Sequence, residues 1–472
     1  MARPKARPRS NPRLGGQDMD ALRQAVAKAT KEMGSAGLTG DAYAARSMDW
    51  GLEIERGEMN FAAHSSDAGI GVRVLKEGRI GFAYMSIMVD PAETVRRAIA
   101  VAPFGSPVAP EFPADGGKAV PKVSGIYDEA VAALEPEAAY ELVERMMDSA
   151  KGLDPRVTVP AGGVGWGHSI VAMANTSGQE TAYEVSSVGI SLQALVGSGK
   201  GKKANEEKTT AAEGMDSPTL AKGIDPEWVG REAARLALES RGGKEIKGGE
   251  LDVIFAPVVI AELLDTMFVP AISGERVAIG ESIYSGKMGE QVLAPHISIW
   301  DDGIMPGGLA TAPVDDEGTP SRRKPIVENG VLRSFLYDIV TAKRYGGVPT
   351  GNAIRPGYNG MPHAAPRNLV IEGRQRPLDK LIASVDEGLL VYDVLGAHTG
   401  NLTSTEFSVN STILFKIEKG AIEFPVASAM ISGNLATALS QVEALGDDRR
   451  IVPIGTPYYL PSALFKGLRV TG

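Results

Sequence analysis

The chain has 472 residues, 43% of them hydrophobic, and at about 150 residues per domain this length predicts two or three domains. Its 49 basic and 58 acidic residues give a formal net charge of -9, which disfavours a protein that mainly covers a phosphate backbone. Nucleic acid is therefore not an expected partner. Cysteine is absent, which excludes disulfides, thiolate nucleophiles, iron–sulfur clusters and zinc sites with sulfur ligands.

Residues 1–17 are predicted to form a disordered basic head. Five cations lie there among prolines: Arg3, Lys5, Arg7, Arg9 and Arg13. Such a head can contact an acidic partner or nucleic acid, although short charged termini are usually only solvated. No apolar segment follows that would serve as a signal peptide, and no apolar run reaches the length of a membrane-spanning helix. We therefore expect a cytoplasmic protein with no membrane contact.

Residues 18–245 are predicted to form an N-terminal α+β domain. Apolar residues at helical spacing predict a first helix that starts at Asp18. Alternation of apolar and polar residues over 47–88 predicts antiparallel strands, with a hairpin turn at 76–78 (KEG). Further predicted elements are helices at 94–101, 135–150 and 225–240, strands within 170–195, and an exposed polar loop at 197–214.

A linker rich in glycine and lysine at 241–249 contains the predicted boundary of this domain. The C-terminal domain, residues 246–472, is predicted to be a β-rich α+β domain. Its predicted elements are a buried strand at 251–255, a helix at 258–268 ended by Pro270, hairpins at 326–338 and 412–426, and helices at 338–345, 378–388 and 435–445. Strands and helices do not alternate strictly, so we expect an α+β fold in two domains, with mainly antiparallel sheets and flanking helices.

The sequence contains no complete catalytic motif. None of the five histidines (His64, His168, His296, His363 and His398) is followed by glutamate or lies three or four residues from another. The serine elbow G-x-S-x-G and the phosphate loop G-x-x-x-x-G-K-[ST] are also missing. On residues alone, the chain is a two-domain protein without a visible catalytic centre.

One loop brings opposite charges close together in the sequence. Three acidic residues at 315–317 are followed by Gly318-Thr319-Pro320 and then by three basic residues at 322–324. This loop either binds the charged ends of peptides or is a turn held by local salt bridges. The segment Thr350-Gly351-Asn352 with Arg355 likewise either fixes a ligand or shapes a turn.

Three motifs occur in order: DDEGTP at 315–320, IVENGVL at 326–332 and TGN at 350–352. Together with DAGIGVRV at 67–74 and ISGNL at 431–435, they resemble the TldD/PmbA family, long labelled modulators of DNA gyrase. The resemblance runs from about residue 18 to the C-terminus.

The resemblance implies a heterodimeric zinc metallopeptidase that hydrolyses peptide or amide bonds. In that family a TldD-type subunit holds zinc on an HExxxH helix plus a cysteine, and a TldE (PmbA)-type subunit lacks these ligands. The matching positions here carry Asp265 and Pro270 in place of the two histidines, and no cysteine is available. The chain therefore resembles the TldE type, with no catalytic residue, metal ligand or cofactor of its own and with zinc on a TldD-like partner.

The role that the resemblance implies for this chain is to form a wall of a chamber and to hold an extended peptide by strand addition. Seven residues are candidates for facing that chamber: Asp265, Asp315, Glu317, Arg323, Asn352, Arg355 and His398. Two other interpretations remain open. One is a non-enzymatic interaction protein, as the gyrase label suggests, and the other is an independent hydrolase that uses Asp265 or the acidic loop without a metal.

Overall fold

The computed structural model describes residues 13–86, 90–108, 110–114, 120–197 and 209–472, without the side chains of residues 60–62. Within these ranges antiparallel sheets with flanking helices dominate, which confirms the predicted α+β fold class. Most of the predicted basic head and residues 198–208 of the predicted polar loop lie outside the described residues. The predicted domain boundary at 245/246 stays a prediction.

The N-terminal half forms one antiparallel sheet of six long strands among the described residues. In chain order they are β1 (Thr39–Glu55), β2 (Glu58–Lys76), β3 (Arg79–Met85), β4 (Val157–Asn175), β5 (Glu180–Val196) and β6 (Thr210–Asp216). Their order across the sheet is β3-β2-β1-β4-β5-β6. The β2–β3 turn places Glu77 and Gly78 at positive φ, as the predicted hairpin requires.

Helices cover one face of this sheet. They are α1 (Gly16–Ser35), α2 (Pro91–Val101), α3 (Glu129–Ala132), α4 (Pro136–Lys151) and α5 (Pro226–Glu239). Local signals start them: the Asp225 carboxylate accepts a hydrogen bond from the Trp228 N–H, and Pro226 occupies the first helical position of α5. Even-numbered β1 residues such as Ala44 and Trp50 pack into the helix-covered core, so the odd-numbered residues lie on the opposite face.

The C-terminal half contains sixteen short strands among the described residues. They are β7 (Gly249–Phe255), β8 (Ser298–Asp302), β9 (Arg323–Glu328), β10 (Val331–Leu332), β11 (Ala353–Ile354), β12 (His363–Ala364), β13 (Leu369–Glu372), β14 (Glu387–Val391), β15 (Glu406–Ser411), β16 (Leu414–Glu418), β17 (Ala421–Pro425), β18 (Ala429–Asn434), β19 (Val442–Leu445), β20 (Arg450–Ile454), β21 (Thr456–Leu460) and β22 (Ala463–Thr471). One sheet has the order β10-β9-β8-β13-β21-β20, and a larger one has the order β15-β18-β22-β7-β14-β16-β17, with β19 beside β22.

The larger sheet lies between two apolar cores. Ile254 of β7 belongs to the core shared with the N-terminal helices, whereas Val253 and Phe255 belong to a second, C-terminal core. Because both faces of β7 are buried, the strand reads as a continuous apolar run, and it pairs with β14 in parallel. The helices of this half are α6 (Pro257–Leu263), α7 (Val269–Ala271), α8 (Gly274–Ala278), α9 (Ile339–Tyr345), α10 (Leu378–Ala383) and α11 (Leu435–Ser440).

The helix predicted at 258–268 is longer than expected. A wide π-helical turn, Leu264–Phe268, joins α6 to α7, so helical turns continue from Pro257 to Ala271 and Pro270 does not end them. The Val269 N–H bonds back to the Leu264 carbonyl, a spacing of five residues. No helix among the described residues is long and apolar enough to cross a bilayer.

Candidate functional site

Four of the seven predicted chamber residues lie in one buried network of charged side chains: Asp315, Glu317, Asn352 and Arg355. This network joins the first sheet to loops of the C-terminal half. At its centre is Arg73 of β2, which is 1% exposed. Its Nε donates to Asp41 Oδ1 at 2.9 Å, its Nη2 bonds Asp41 Oδ2, and its Nη1 donates to Glu317 Oε1 at 2.6 Å. One arginine thus connects β1 and β2 to the acidic loop.

Arg355 makes a second connection between the two halves. Its Nη2 donates to Asp41 Oδ2 at 2.9 Å, and its Nε donates to the Asp316 carbonyl at 3.1 Å. The guanidinium lies 5.3 Å from the centre of the Tyr43 ring. Burial opposes ionisation of Asp41, but Arg73 and Arg355 together hold its pKa below the usual range. The acidic loop is therefore part of a network that joins the first sheet to loops of the C-terminal half.

Asp315 and Asn352 shape the backbone around this network. Asp315 Oδ1 accepts hydrogen bonds from the N–H groups of Glu317 and Thr319, at 3.0 and 2.8 Å. Asn352 Nδ2 donates to Asp301 Oδ2 at 2.8 Å, and Lys324 Nζ pairs with the same oxygen at 2.6 Å. Both predicted residues are fully buried in these contacts, so they act on a ligand only through the loops that they hold.

The other three predicted residues lie elsewhere. Arg323 stacks over the Trp300 ring at 4.5 Å and pairs with Glu372 at 2.8 Å on the surface. His398 is exposed on a short 3-10 helix, Ala397–Thr399. Asp265 lies on the π-helical turn. The structure therefore brings together four of the seven candidates and separates the remaining three.

A cleft of about 530 Å³ opens beside the network. Its floor is the face of β1, β4 and β5 that carries no helix, and Tyr43 and Tyr183 lie there. Its walls are loops of the C-terminal half at 309–312 and 354–359, and Arg367 also lines it. The cleft thus lies where the two halves of the chain meet.

Two glycines of β2 allow the loop at 354–359, which forms one wall of the cleft, to pack against the sheet. An ideal Cβ on Gly71 would lie 2.0 Å from the Tyr358 carbonyl oxygen, and one on Gly69 would lie 2.2 Å from the Tyr358 ring. The Tyr358 hydroxyl donates to Asp67 Oδ1 at 2.9 Å, which fixes the loop to the same strand. The absence of side chains at 69 and 71 is therefore a packing requirement of the cleft.

The extended helix of the C-terminal half has its own polar contact at Asp265. Asp265 Oδ1 accepts hydrogen bonds from the Tyr458 hydroxyl at 2.9 Å and from the Thr456 N–H at 3.3 Å. Tyr458 is fully buried, so this carboxylate satisfies a donor that water cannot reach. The contact anchors the helix to β21.

Comparison with known proteins now identifies the family. Models of the PmbA/TldA metallopeptidases match in succession along the chain: domain 1 at residues 40–102, the central domain at 129–241 and the C-terminal domain at 248–472. The chain belongs to the TldD/PmbA metallopeptidase family.

Individual relatives of several kinds match most of the chain. An uncharacterised protein of Methanocaldococcus jannaschii is 30% identical over 401 residues, which is 84% of this chain and 88% of that protein. A metalloprotease TldD homolog of Buchnera aphidicola is 26% identical over 422 residues, 87% of this chain and 86% of that protein. The crystal structure of TldE from Thermococcus kodakarensis aligns with a TM-score of 0.86 at 25% identity, over 96% of this chain and 100% of that one. Both TldD and TldE relatives match, so identity alone does not assign the type.

The zinc that the TldD/PmbA family implies does not fit the residues of this helix. The positions that the resemblance aligns with the HExxxH pattern read DTMFVP at 265–270. Asp265 already accepts two hydrogen bonds, and Pro270 has no side-chain ligand atom. Among the described residues, no three His, Asp or Glu side chains lie where they could jointly hold a metal. We therefore derive no reaction step through zinc in this chain.

Several residues at the cleft were not predicted from the sequence. Tyr43, Tyr183 and Arg367 line it, and Asp41 and Arg73 hold it together. Arg73 stands between Val72 and Val74, a pattern that ordinarily places the polar residue on a solvated strand face. The signal for its burial lies in the acidic loop 244 residues further along, which only the fold connects to it.

The acidic loop is expected to make stability depend on pH. Burial raises the pKa of Asp315 to about 6 and that of Glu317 to about 7, more than Arg367 and Arg73 lower them. In the unfolded chain these carboxyls ionise near pH 4. The folded protein therefore binds more protons between about pH 4 and 7, and its stability decreases as the pH rises through that window.

The test is urea unfolding at several pH values across this window, with Glu317→Gln compared to wild type. The amide keeps the shape of the protonated carboxyl, so the variant should lose stability less steeply with rising pH. Burial also raises the pKa of Glu262 to about 7, so the difference between the two proteins is the informative quantity. Equal slopes would show that Glu317 does not carry the effect.

Proposed function

We propose that this chain is the TldE-type, non-catalytic subunit of a heterodimeric zinc metallopeptidase that hydrolyses peptide or amide bonds. The proposal is supported by the helix from Pro257 to Ala271, where the resemblance aligns Asp265 and Pro270 with the two histidines and the Asp265 carboxylate accepts a hydrogen bond from Tyr458. A metallopeptidase needs a Lewis acid and a general base. On this proposal the TldD-like partner supplies both.

The contribution of this chain is substrate binding. Among the described residues, β2 pairs with β3 only from Ile70 to Lys76, so its outer edge from Glu58 to Gly69 carries no further strand. Such an edge can bind an extended peptide through main-chain hydrogen bonds. The same part of β2 borders the cleft at Asp67. Edge and cleft together support a role in holding peptides for the partner.

The proposal is tested by co-expression with a TldD-like subunit from the same genome and purification through a tag on this chain. We expect a stable pair that contains zinc and hydrolyses peptides, whereas this chain alone has neither property. A second pair, in which the zinc-binding histidines of the partner are replaced, should still form but lose hydrolysis. Zinc or hydrolysis in the lone chain would refute the proposal. Failure to bind the partner would favour the non-enzymatic interaction protein instead.

A further inference from the structure

The deep end of the cleft presents hydrogen-bond donors that nothing in the described part of the chain accepts. Tyr43 and Tyr183 lie on the same face of the sheet, on either side of β4, and line the cleft. Neither hydroxyl has a hydrogen-bond partner among the described residues, and both oxygens are accessible from the cleft. Hydroxyls that face a cleft without a protein acceptor are free to donate to a ligand or to water there.

Cationic groups lie at this end of the cleft, where the Asp316 carboxylate that pairs with Arg367 also lines the wall. Arg367 is 6% exposed and lines the cleft, and its Nε has no hydrogen-bond partner among the described residues. Its Nη2 is shared between Asp316 Oδ1 and two backbone carbonyls. Burial, with Asp316 nearby, raises the pKa of both tyrosines, so their hydroxyls stay protonated and donate at neutral pH.

The mouth of the cleft has the opposite character. Asp49 and Asp67 line it, and both are exposed. Asp67 pairs in register with Ser47, four residues along β1 from Tyr43. At about 3.3 Å per residue this places Asp67 about 13 Å along the sheet from Tyr43, which is the reach of about four residues of extended peptide, and Asp49 about 20 Å from Tyr43.

We propose that the cleft binds the free C-terminal carboxylate of a short peptide, with Tyr43, Tyr183 and Arg367 at the carboxylate and with Asp67 near a basic side chain about three residues upstream. The inference rests on the proposed function only in taking a peptide as the ligand. All the residues named for this site belong to this chain.

The probe is a tetrapeptide of lysine followed by three alanines, titrated calorimetrically into the isolated chain. We expect the free acid to bind at least about tenfold more tightly than the C-terminal amide, since a hydrogen bond to a charged group is worth more than one to a neutral group. Tyr43→Phe and Tyr183→Phe should each weaken binding of the acid by about tenfold and change binding of the amide little.

Matched controls separate this site from general effects. Tyr140→Phe removes an exposed tyrosine hydroxyl on α4 and should leave affinity unchanged. Asp67→Asn should reduce the preference for lysine over alanine at the first position without abolishing the acid-over-amide preference. Thermal unfolding of each variant establishes that it is folded.

Three results would overturn the inference: equal affinity for acid and amide, no effect of either tyrosine substitution in a folded protein, or binding of acetate as tight as that of the tetrapeptide. The last result would show that the deep end of the cleft binds small carboxylates rather than peptides. A chain that forms an active zinc-containing pair but binds acid and amide equally would refute this inference and leave the proposed function standing.

Discussion

Replacing Arg73 with methionine is expected to lower the free energy of unfolding by about 3–5 kcal/mol. Methionine keeps much of the apolar stem but removes the guanidinium that pairs with Asp41 and with Glu317, at 2.6 Å for the latter. Asp41 would retain Arg355, at 2.9 Å. Among the described residues Glu317 would keep only the Ile339 N–H, at 2.8 Å, and would lose the cation that favours its ionisation, although burial already raises its pKa to about 7. Most of the cost therefore comes from the carboxyl left behind, which above that pH must either stay charged without a cation or take up a proton.

A double-mutant cycle in chemical denaturation checks this origin. Adding Glu317→Gln to Arg73→Met removes the stranded charge, so the double variant should be more stable than Arg73→Met alone. Arg96→Met is the matched control, because Arg96 is exposed and its pairs with Glu93 and Asp90 lie in solvent, where an ion pair contributes little to stability. A loss for Arg73→Met as small as that of the control would contradict the central role of Arg73.

Local sequence signals predicted much of the fold. The KEG, ENG and EKG turns place a residue at positive φ before each glycine, at Glu77, Asn329 and Lys419, which only a few turn types allow. Asp338 caps α9 by accepting from the Thr341 N–H at 2.7 Å, and Gly346 ends that helix at positive φ. Each of these features depends on residues within one turn of each other, so the sequence contains the whole interaction.

Elements whose identity depends on distant partners were predicted less well. The apolar pattern at 435–445 suits a helix throughout, but the helix ends at Ser440, and Val442–Leu445 is strand β19 because it pairs with β22. Likewise the polar segment predicted as a loop to residue 214 becomes strand β6 from Thr210, which pairs with β5. In both cases a strand forms because the edge of a neighbouring strand is available for pairing. The spacing of apolar residues along the sequence does not show whether such an edge exists.

The candidate site likewise combines residues with a local sequence signal and residues that only the fold brings together. Asp315, Glu317, Asn352 and Arg355 were candidates because they cluster in two short motifs. Their partners Asp41 and Arg73 lie more than two hundred residues away on strands that look ordinary. The tyrosines of the cleft carry no sequence signal either, since an aromatic residue in a strand is more often simply packed. Only the assembled sheet shows that their hydroxyls face a cleft.

Replacing Gly71 of β2 with alanine is also expected to lower the stability of the protein strongly. Gly71→Ala places a methyl group 2.0 Å from the Tyr358 carbonyl oxygen, and because the obstacle is backbone, the whole loop at 355–360 has to move. We expect a loss of about 1–3 kcal/mol in unfolding free energy. The Tyr358–Asp67 hydrogen bond, now 2.9 Å, should also be lost, and with it one wall of the cleft.

Gly51→Ala is a matched control on the same face of the same sheet. The nearest atom to its added methyl is the Val164 carbonyl oxygen at 3.9 Å, so stability should change by less than about 0.5 kcal/mol. Neither glycine has a positive φ, and the comparison therefore isolates close packing from backbone strain.

If the loop docks as described, Gly71→Ala should also expose residues 355–360 to proteolysis and weaken binding of the tetrapeptide acid, whereas Gly51→Ala should do neither. Equal stability and equal protease resistance of the two variants would show that the contact between Tyr358 and β2 does not hold the wall of the cleft in place.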